Sequence, residues 1–349
     1  MRLTHCLVLA LSLVAACHPA EPSPSRIAFI SERDGNREIR VVDLQGIEFR
    51  LTTSPADDYP AAASTDGRRL AIITAEQIPT GSAEQLRVAA MPSGIAHPIG
   101  PRAAIVRHPG WSPDDGWLAF ESSAGSFRDI YRIESDGTRL RRLTDNREGN
   151  FDPHISPDGR HIVFVSSRDG NSELYRMNAD GSAVVRLTAY RRDDWEPSWS
   201  PDGKRIAFLS DRDGEDRIYI INADGTGIRR ATSDSVRSGG LESSPAWSPD
   251  SRRIAYVMQR RDAPARLRIV DLASHAANAI VARDAGAPTG DMNGAGAQEG
   301  PAFSPDGQWL AFSWNDRGNV EIHVARADGT DAHALTHAPG ADWLPRWVR

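Results

Sequence analysis

The chain is short of nearly everything that announces a function directly. It has two cysteines in 349 residues, Cys6 inside the first apolar segment and Cys17 just after it, so removal of that segment leaves no disulfide. No apolar run reaches the roughly 20 residues that a membrane-crossing helix needs. Basic residues are scattered: 41 Lys+Arg stand against 47 Asp+Glu, for a formal charge of −6, which argues against nucleic acid as a partner because that footprint needs a clustered basic face. G-x-S-x-G, H-E-x-x-H and P-loop patterns are absent, and the histidines keep no ligand spacing. What remains, 40% hydrophobic and 25% charged residues, is a globular composition that excludes disordered, collagenous and multi-span membrane classes.

The first residues stand apart from the rest. Residues 1–16 carry one Arg and an apolar run from Leu7 to Ala16, the layout of a secretory signal peptide. Val14-Ala15-Ala16-Cys17 resembles the lipobox of bacterial lipoproteins. That resemblance implies cleavage before Cys17 and lipidation of its thiol; ordinary signal cleavage near Ala16 is the alternative. His18 stands where an inner-membrane retention signal would carry Asp, which favours the outer membrane. Residues 17–25 then read as the anchor and a Pro/Ser-rich tether.

From residue 26 onward one phrase recurs: DPHISPDGRHIVF from Asp152, EPSWSPDGKRIAF from Glu196, SPAWSPDSRRIAY from Ser244, GPAFSPDGQWLAF from Gly300 and HPGWSPDDGWLAF from His108. A weaker copy, YPAAASTDGRRLAI, starts at Tyr59. The spacing of roughly 44 to 56 residues is that of a propeller blade. Each unit reads as a short strand, an S-P-D-G turn, an almost wholly apolar strand, a second turn of the S-x-R-D-G type, a third strand, an A-D-G turn and a fourth strand ending in R-L-T. The chain enters on a second strand at Arg26 and leaves on a first strand at Pro345, so the two ends can share a blade. The expectation is an all-β propeller over 26–349 of four-stranded antiparallel blades, seven if every unit is complete and six if the last segment folds back differently.

The P-x-W-S-P-D-G-x-x-I-A-F unit resembles the propeller repeat of TolB, the periplasmic component of the Tol–Pal system. The resemblance covers residues 26–349, essentially everything after the tether. TolB proper carries an α/β domain ahead of its propeller and no lipid anchor, so the reading is a TolB-like propeller lipoprotein.

Candidate binding residues come from the loops that enter each blade, since varied loops on a rigid frame carry recognition. Three residues before the blade proline stand Asp57, Asn150, Asp194, Glu242, Gln298 and Asp342. They are expected to project around the channel mouth, where they can take a divalent cation, a basic peptide arm or sugar hydroxyls; bonding to their own loop backbone is the competing expectation. Tyr59, Phe151, Trp195 and Trp343 accompany them as interface aromatics, with Arg192 in the densest charged patch. Trp111, Trp199, Trp247 and Trp347 read as core, and Asp158, Asp202 and Asp306 as turn residues. The loops 233–244 and 283–300 are expected to be mobile. The functional expectation is a monomeric envelope scaffold that holds a protein or peptide without chemistry and without an obligatory cofactor. The alternative is a metal-dependent saccharide-active lyase or hydrolase, which requires His108, His154 and Gln298 to converge. A prolyl-oligopeptidase-type activity would require an added hydrolase domain.

Overall fold

The computed structural model describes residues 25–348 apart from 80, 233–239, 261–262, 281–299 and 317. The described residues form seven four-stranded antiparallel sheets and no helix. Blade 4 shows the plan: Asn150–Ile155, His161–Ser166, Glu173–Asn178 and Val185–Arg186 pair in sequence order from the channel outward. Blades 2, 3, 5, 6 and 7 repeat it from Asp57, Val106, Asp194, Gly240 and Ala302. Blade 1 is composite. Its inner strand is the C-terminal Asp342–Val348, which pairs antiparallel with Arg26–Ser31 so that Arg26 faces Val348 and Ser31 faces Asp342. The ring therefore has seven blades and not six, because the segment after Gly300 makes its own sheet and the last strand completes the first.

The turns are built by the residues the repeat supplies. Ser156 Oγ donates to Asp158 Oδ1 and accepts from the His161 amide, while Gly159 takes φ 69°. Asp202 and Asp306 serve their turns in the same way. Blades 3 and 6 put Asp115 and Ser251 in the glycine slot at φ 58° and 60°, a strained region for L-residues. Their side chains gain contacts that glycine lacks. The Asp115 carboxylate accepts the amides of Thr65 and Asp66 in blade 2 at 2.7 and 2.9 Å, and Ser251 Oγ accepts the Asp202 amide of blade 5 at 3.0 Å.

The second strand is apolar throughout because each of its faces meets a different blade. In blade 5, Ile206 and Phe208 pack toward blade 4 with Val163 and Leu174, whereas Ala207 and Leu209 pack toward blade 6 with Ile254 and Tyr256. The strand tryptophans pin the junctions. Trp199 and Trp247 are buried and Trp111 and Trp347 partly so. The indole N–H groups of Trp111, Trp247 and Trp347 donate to the Ala62, Ser198 and Ala302 carbonyls of the preceding blade at 2.9, 3.1 and 2.8 Å.

Two polar clamps recur beside this apolar packing. At the end of the fourth strand, Thr188 Oγ1 donates to Glu173 Oε2 and accepts the Leu174 amide, while Arg186 bonds Glu173 Oε1 at 3.0 Å. Blades 1, 3 and 7 repeat this with Glu38 and Thr52, Asp129 and Thr144, and Glu321 and Thr336. Blade 5 has Arg217 in the carboxylate position, and Glu242 of blade 6 supplies the acid instead, accepting from Thr232 and from the Ile218 amide. The S-x-R-D-G turn makes the second clamp. Arg33, Arg168 and Arg212 donate from Nε to Ser31, Ser166 and Ser210, and from Nη2 to Asp342, Asn150 and Asp194 at the start of the same blade's inner strand.

Trp247→Phe keeps the ring but leaves the Ser198 carbonyl without its donor, so a loss of about 1 kcal/mol is expected in urea unfolding; no loss would show that the indole bond does not pin the junction. Burial of the Asp342 carboxyl, offset in part by the Ser31 hydroxyl and the Arg33 guanidinium, pushes it up to about 6. The folded protein therefore keeps a proton that the unfolded chain releases near its ordinary 3.8, so the stability that this carboxyl contributes falls as the pH rises from 4 through 6 and is lost above. Asp342→Asn gives blade 1 the residue that blade 4 uses at 150. It is expected to flatten that slope by about 2–3 kcal/mol between pH 4 and 7, measured by denaturant unfolding at both pH values; an unaltered slope would place the titration elsewhere.

Candidate functional site

The channel is shaped by a bulge that the repeat builds into each inner strand. Pairing slips between Phe151 and His154, between Trp195 and Ser198, between Ser243 and Ala246 and between Arg107 and Gly110. The residue before the proline takes positive φ in five blades: His108 50°, Asp152 51°, Glu196 51°, Ser244 53° and Leu344 61°. Bulges redirect side chains, and these bring His108, Asp152 and Ser244 to the axis, whereas Leu344 packs into the core with Ile30 and Tyr59. In blade 7 the column carries Gly300, where a Cβ would lie 2.6 Å from the Cβ of Ser244. The axis holds a cavity of about 370 Å3, lined by His108, Asp152, Ser244 and Gly300, by the prolines of blades 3 to 7 and by residues that follow them.

The acids and histidines of that wall lie on one sector, apart from Arg346 of blade 1. His108 Nδ1 lies 2.9 Å from Asp152 Oδ1 and 3.5 Å from Glu121 Oε2. Burial alone would lower the His108 imidazole, but the two carboxylates overcome it and push the group up to about 10. Burial likewise works against Asp152, and the His108 charge outweighs it to hold that carboxyl below its ordinary value. Glu121 is wholly buried and is bridged by Arg128, which also lies over the Phe151 ring. Next around the ring, burial and then the Asp152 charge push Glu196 up to about 7. On the adjoining layer His154 and Arg346 line the same cavity; enclosure by the wall lowers them to about 4 and about 10. The other blades contribute Ala62, Gly110, Ser198 and Ala246 there. The channel thus offers a narrow cavity with small side chains on most blades and a His–Asp–Glu cluster on blades 3 to 5.

The residues picked from sequence lie elsewhere. Asn150, Asp194, Glu242 and Asp342 are buried in the polar clamps at the blade junctions and do not ring the channel mouth. The reason for Asn150, Asp194 and Asp342 is the arginine of the S-x-R-D-G turn, which bonds each of them, and Glu242 is held by Thr232 and the Ile218 amide. The position of Asp57 needs correction by one residue. Asp58 pairs with Thr74 as Asp194 pairs with Ser210, and Asp58 is the buried member, while Asp57 caps the Arg37 amide. Alignment on Ser64 and Gly67 in place of Pro60 reveals this register. Tyr59 is buried against Trp343 in an edge contact, and Phe151 and Trp195 are partly buried between blades. Arg192 is exposed and pairs with Asp211 at 3.1 Å. His108 and His154 do reach one cavity. Gln298, Cys17, the leader and most of both long loops lie outside the described residues. Glu121, Asp152, Glu196 and Arg346 were missed. The signal for Asp152 and Glu196 is a column two residues nearer the proline than the one chosen, and that for Glu121 is F-E-S at 120–122 where blade 4 reads F-V-S and blade 5 F-L-S; Arg346 directly follows the last blade proline.

The known proteins that this chain resembles share the architecture. A TolB homologue of Chlorobaculum tepidum is 30% identical over 121 residues, which is 34% of this chain and 27% of that protein. The chain therefore matches about a quarter of that relative's length. The crystal structure of TolB from Acinetobacter baumannii superposes with a TM-score of 0.58 at 20% identity, over 93% of this chain and 83% of that one. An oligogalacturonate lyase from Vibrio parahaemolyticus gives a TM-score of 0.66 at 15% identity, over 86% and 85%. These two likenesses show the fold. The sequence model of the TolB beta propeller domain matches residues 146–240 and 236–349, more than half of the chain. This chain belongs to the TolB β-propeller domain family.

Proposed function

We propose that the protein is a binding scaffold of the cell envelope that holds a protein or peptide partner at the mouth of its channel. The observation that carries this reading is the axial cavity: about 370 Å3, walled by prolines and small side chains, with His108 and Asp152 on one side and Arg346 on another. A rigid, preformed wall selects by shape and charge at small ordering cost. A space of this size takes one or two side chains of an extended segment, and Asp152 and Glu196 suit a basic or hydroxylated tip. Arg192 and the exposed edge of Trp195 flank the entry to blade 5 and extend the surface.

An envelope location is supported by the leader-like residues 1–16 and by family membership. Anchoring to the outer membrane through Cys17 is part of the same proposal. Cys17→Ser is expected to move the protein from the membrane pellet to the soluble extract; retention in the pellet overturns the anchor.

The scaffold reading is tested by filling the channel. Ser198→Leu and Ala246→Leu project into the cavity from blades 5 and 6 and should leave the melting temperature close to that of the parent. Partner capture by crosslinking in native envelopes is expected to drop roughly tenfold or more, as when the centre of an interface is blocked. Undiminished capture by both variants overturns the reading. A metal-dependent saccharide-active enzyme is the second reading, favoured by the approach of His108, Glu121 and Asp152 in the channel wall; turnover of acidic oligosaccharides that both fillings abolish would select it.

A further inference from the structure

Blade 3 departs from the repeat in a concerted way. The fifth residue of the second strand is apolar in five other blades, Ile30, Ile73, Val165, Leu209 and Val257, and Ser313 in blade 7. Opposite it across the inner strand stand Trp343, Tyr59, Phe151, Trp195 and Ser243. In blade 3 this apolar pair is replaced by Glu121 opposite Arg107. A wholly buried carboxylate costs several kcal/mol unless it is paired, so an acid at a slot that five blades fill with a methyl-bearing side chain calls for a role. Arg128 takes one Glu121 oxygen. The other, Oε2, accepts the Asp152 amide at 3.2 Å and faces the imidazole of His108.

We propose that His108 Nδ1, Glu121 and Asp152 form a binding site for one divalent first-row transition ion, with Zn2+ and Mn2+ preferred over Mg2+ and Ca2+. The three donor atoms lie within 4.8 Å of one another, with the imidazole nitrogen 2.9 and 3.5 Å from the nearest oxygens of Asp152 and Glu121. Ligand atoms held about 2.0–2.2 Å from an ion stand about 3–3.5 Å apart. A second observation points the same way. His108 Nδ1 is buried and makes no hydrogen bond, although Asp152 Oδ1 is at bonding distance, because that oxygen lies off the direction of the ring N–H. The atoms are spaced as co-ligands and not aligned as donor and acceptor. One imidazole nitrogen with two carboxylate oxygens is a borderline set, which selects first-row transition ions over the all-oxygen preference of Mg2+ and Ca2+. The site borders the axial cavity, which leaves coordination positions for water or for a ligand that enters the channel. The buried Glu196 Oε2, which lacks a hydrogen-bond partner, adds a neighbouring carboxylate. This inference stands apart from the scaffold reading and holds whether the channel receives a peptide or a sugar.

The test uses the whole mature protein, stripped of metal and titrated with Zn2+, Mn2+, Ca2+ and Mg2+ by calorimetry, with the melting temperature as a second readout. One Zn2+ or Mn2+ is expected per chain with a rise in melting temperature, and Ca2+ and Mg2+ at least roughly tenfold more weakly. Glu121→Val installs the residue that blade 4 carries at the same place, so it should fold at least as well as the parent without metal. It should lose roughly tenfold or more in Zn2+ and Mn2+ affinity, as should His108→Gln and Asp152→Asn. Parent protein that binds no ion, that prefers Ca2+, or whose affinity survives Glu121→Val overturns the site. A channel-filling variant that loses its partner but still binds Zn2+ separates this outcome from failure of the scaffold reading.

Discussion

Every blade hides both faces of its sheet against two neighbours, and this constraint governs the rest of the molecule. A sheet buried on both faces cannot end, so the ring must close. Closure depends on the Asp342–Val348 strand finding Arg26–Ser31, more than 300 residues away in sequence. The apolar second strands, such as Arg205–Ser210 with both sets of alternating residues buried, are a direct consequence of that two-sided packing.

Because the faces are apolar, orientation between blades falls to a small number of polar contacts at their margins. Threonine and acid meet at the end of the fourth strand in blades 1, 3, 4 and 7, and Asn150 of blade 4 and Glu242 of blade 6 reach across to Asp129 and Thr232 of the preceding blade. Buried polar groups of this kind specify one arrangement because any other leaves them unpaired. The exchange at blade 5, where Arg217 replaces the acid and Glu242 arrives from the next blade, shows that the junction requires a carboxylate near Thr232 and tolerates either source. Such a requirement also explains why acids near the blade prolines look like a surface ring in sequence and are buried in structure.

Function is left to the places where the repeat is broken. The pre-proline bulge brings His108 and Asp152 to the axis, and Glu196 is buried beside them at the same place in blade 5. The strain of positive φ at non-glycine residues is repeated around the ring, so it belongs to the scaffold; the chemistry of the side chain placed there does not. The channel is thereby a uniform frame with His108 and Asp152 on one sector and Arg346 on another, which suits directional recognition of a ligand along the axis.

The architecture was legible in the amino-acid sequence because it rests on local patterns: S-P-D-G turns, apolar second strands, and a chain that starts on one strand type and ends on its partner. Those signals are carried by residues close together and repeated several times, so the blade count and closure followed from them. The site was not legible in the same way. Asp194 and Glu196 lie two residues apart on one strand, yet the first is consumed by Arg212 in its own blade and the second is buried beside Asp152 and His108. Which of them meets the axis is decided by a bulge in the strand pairing, and Glu121 joins His108 and Asp152 only because blades 3 and 4 are packed side by side. Sequence determined the repeating unit through local turn and strand chemistry; only the tertiary structure decided which charged side chains share a space, since that depends on the pairing register and on contacts between blades.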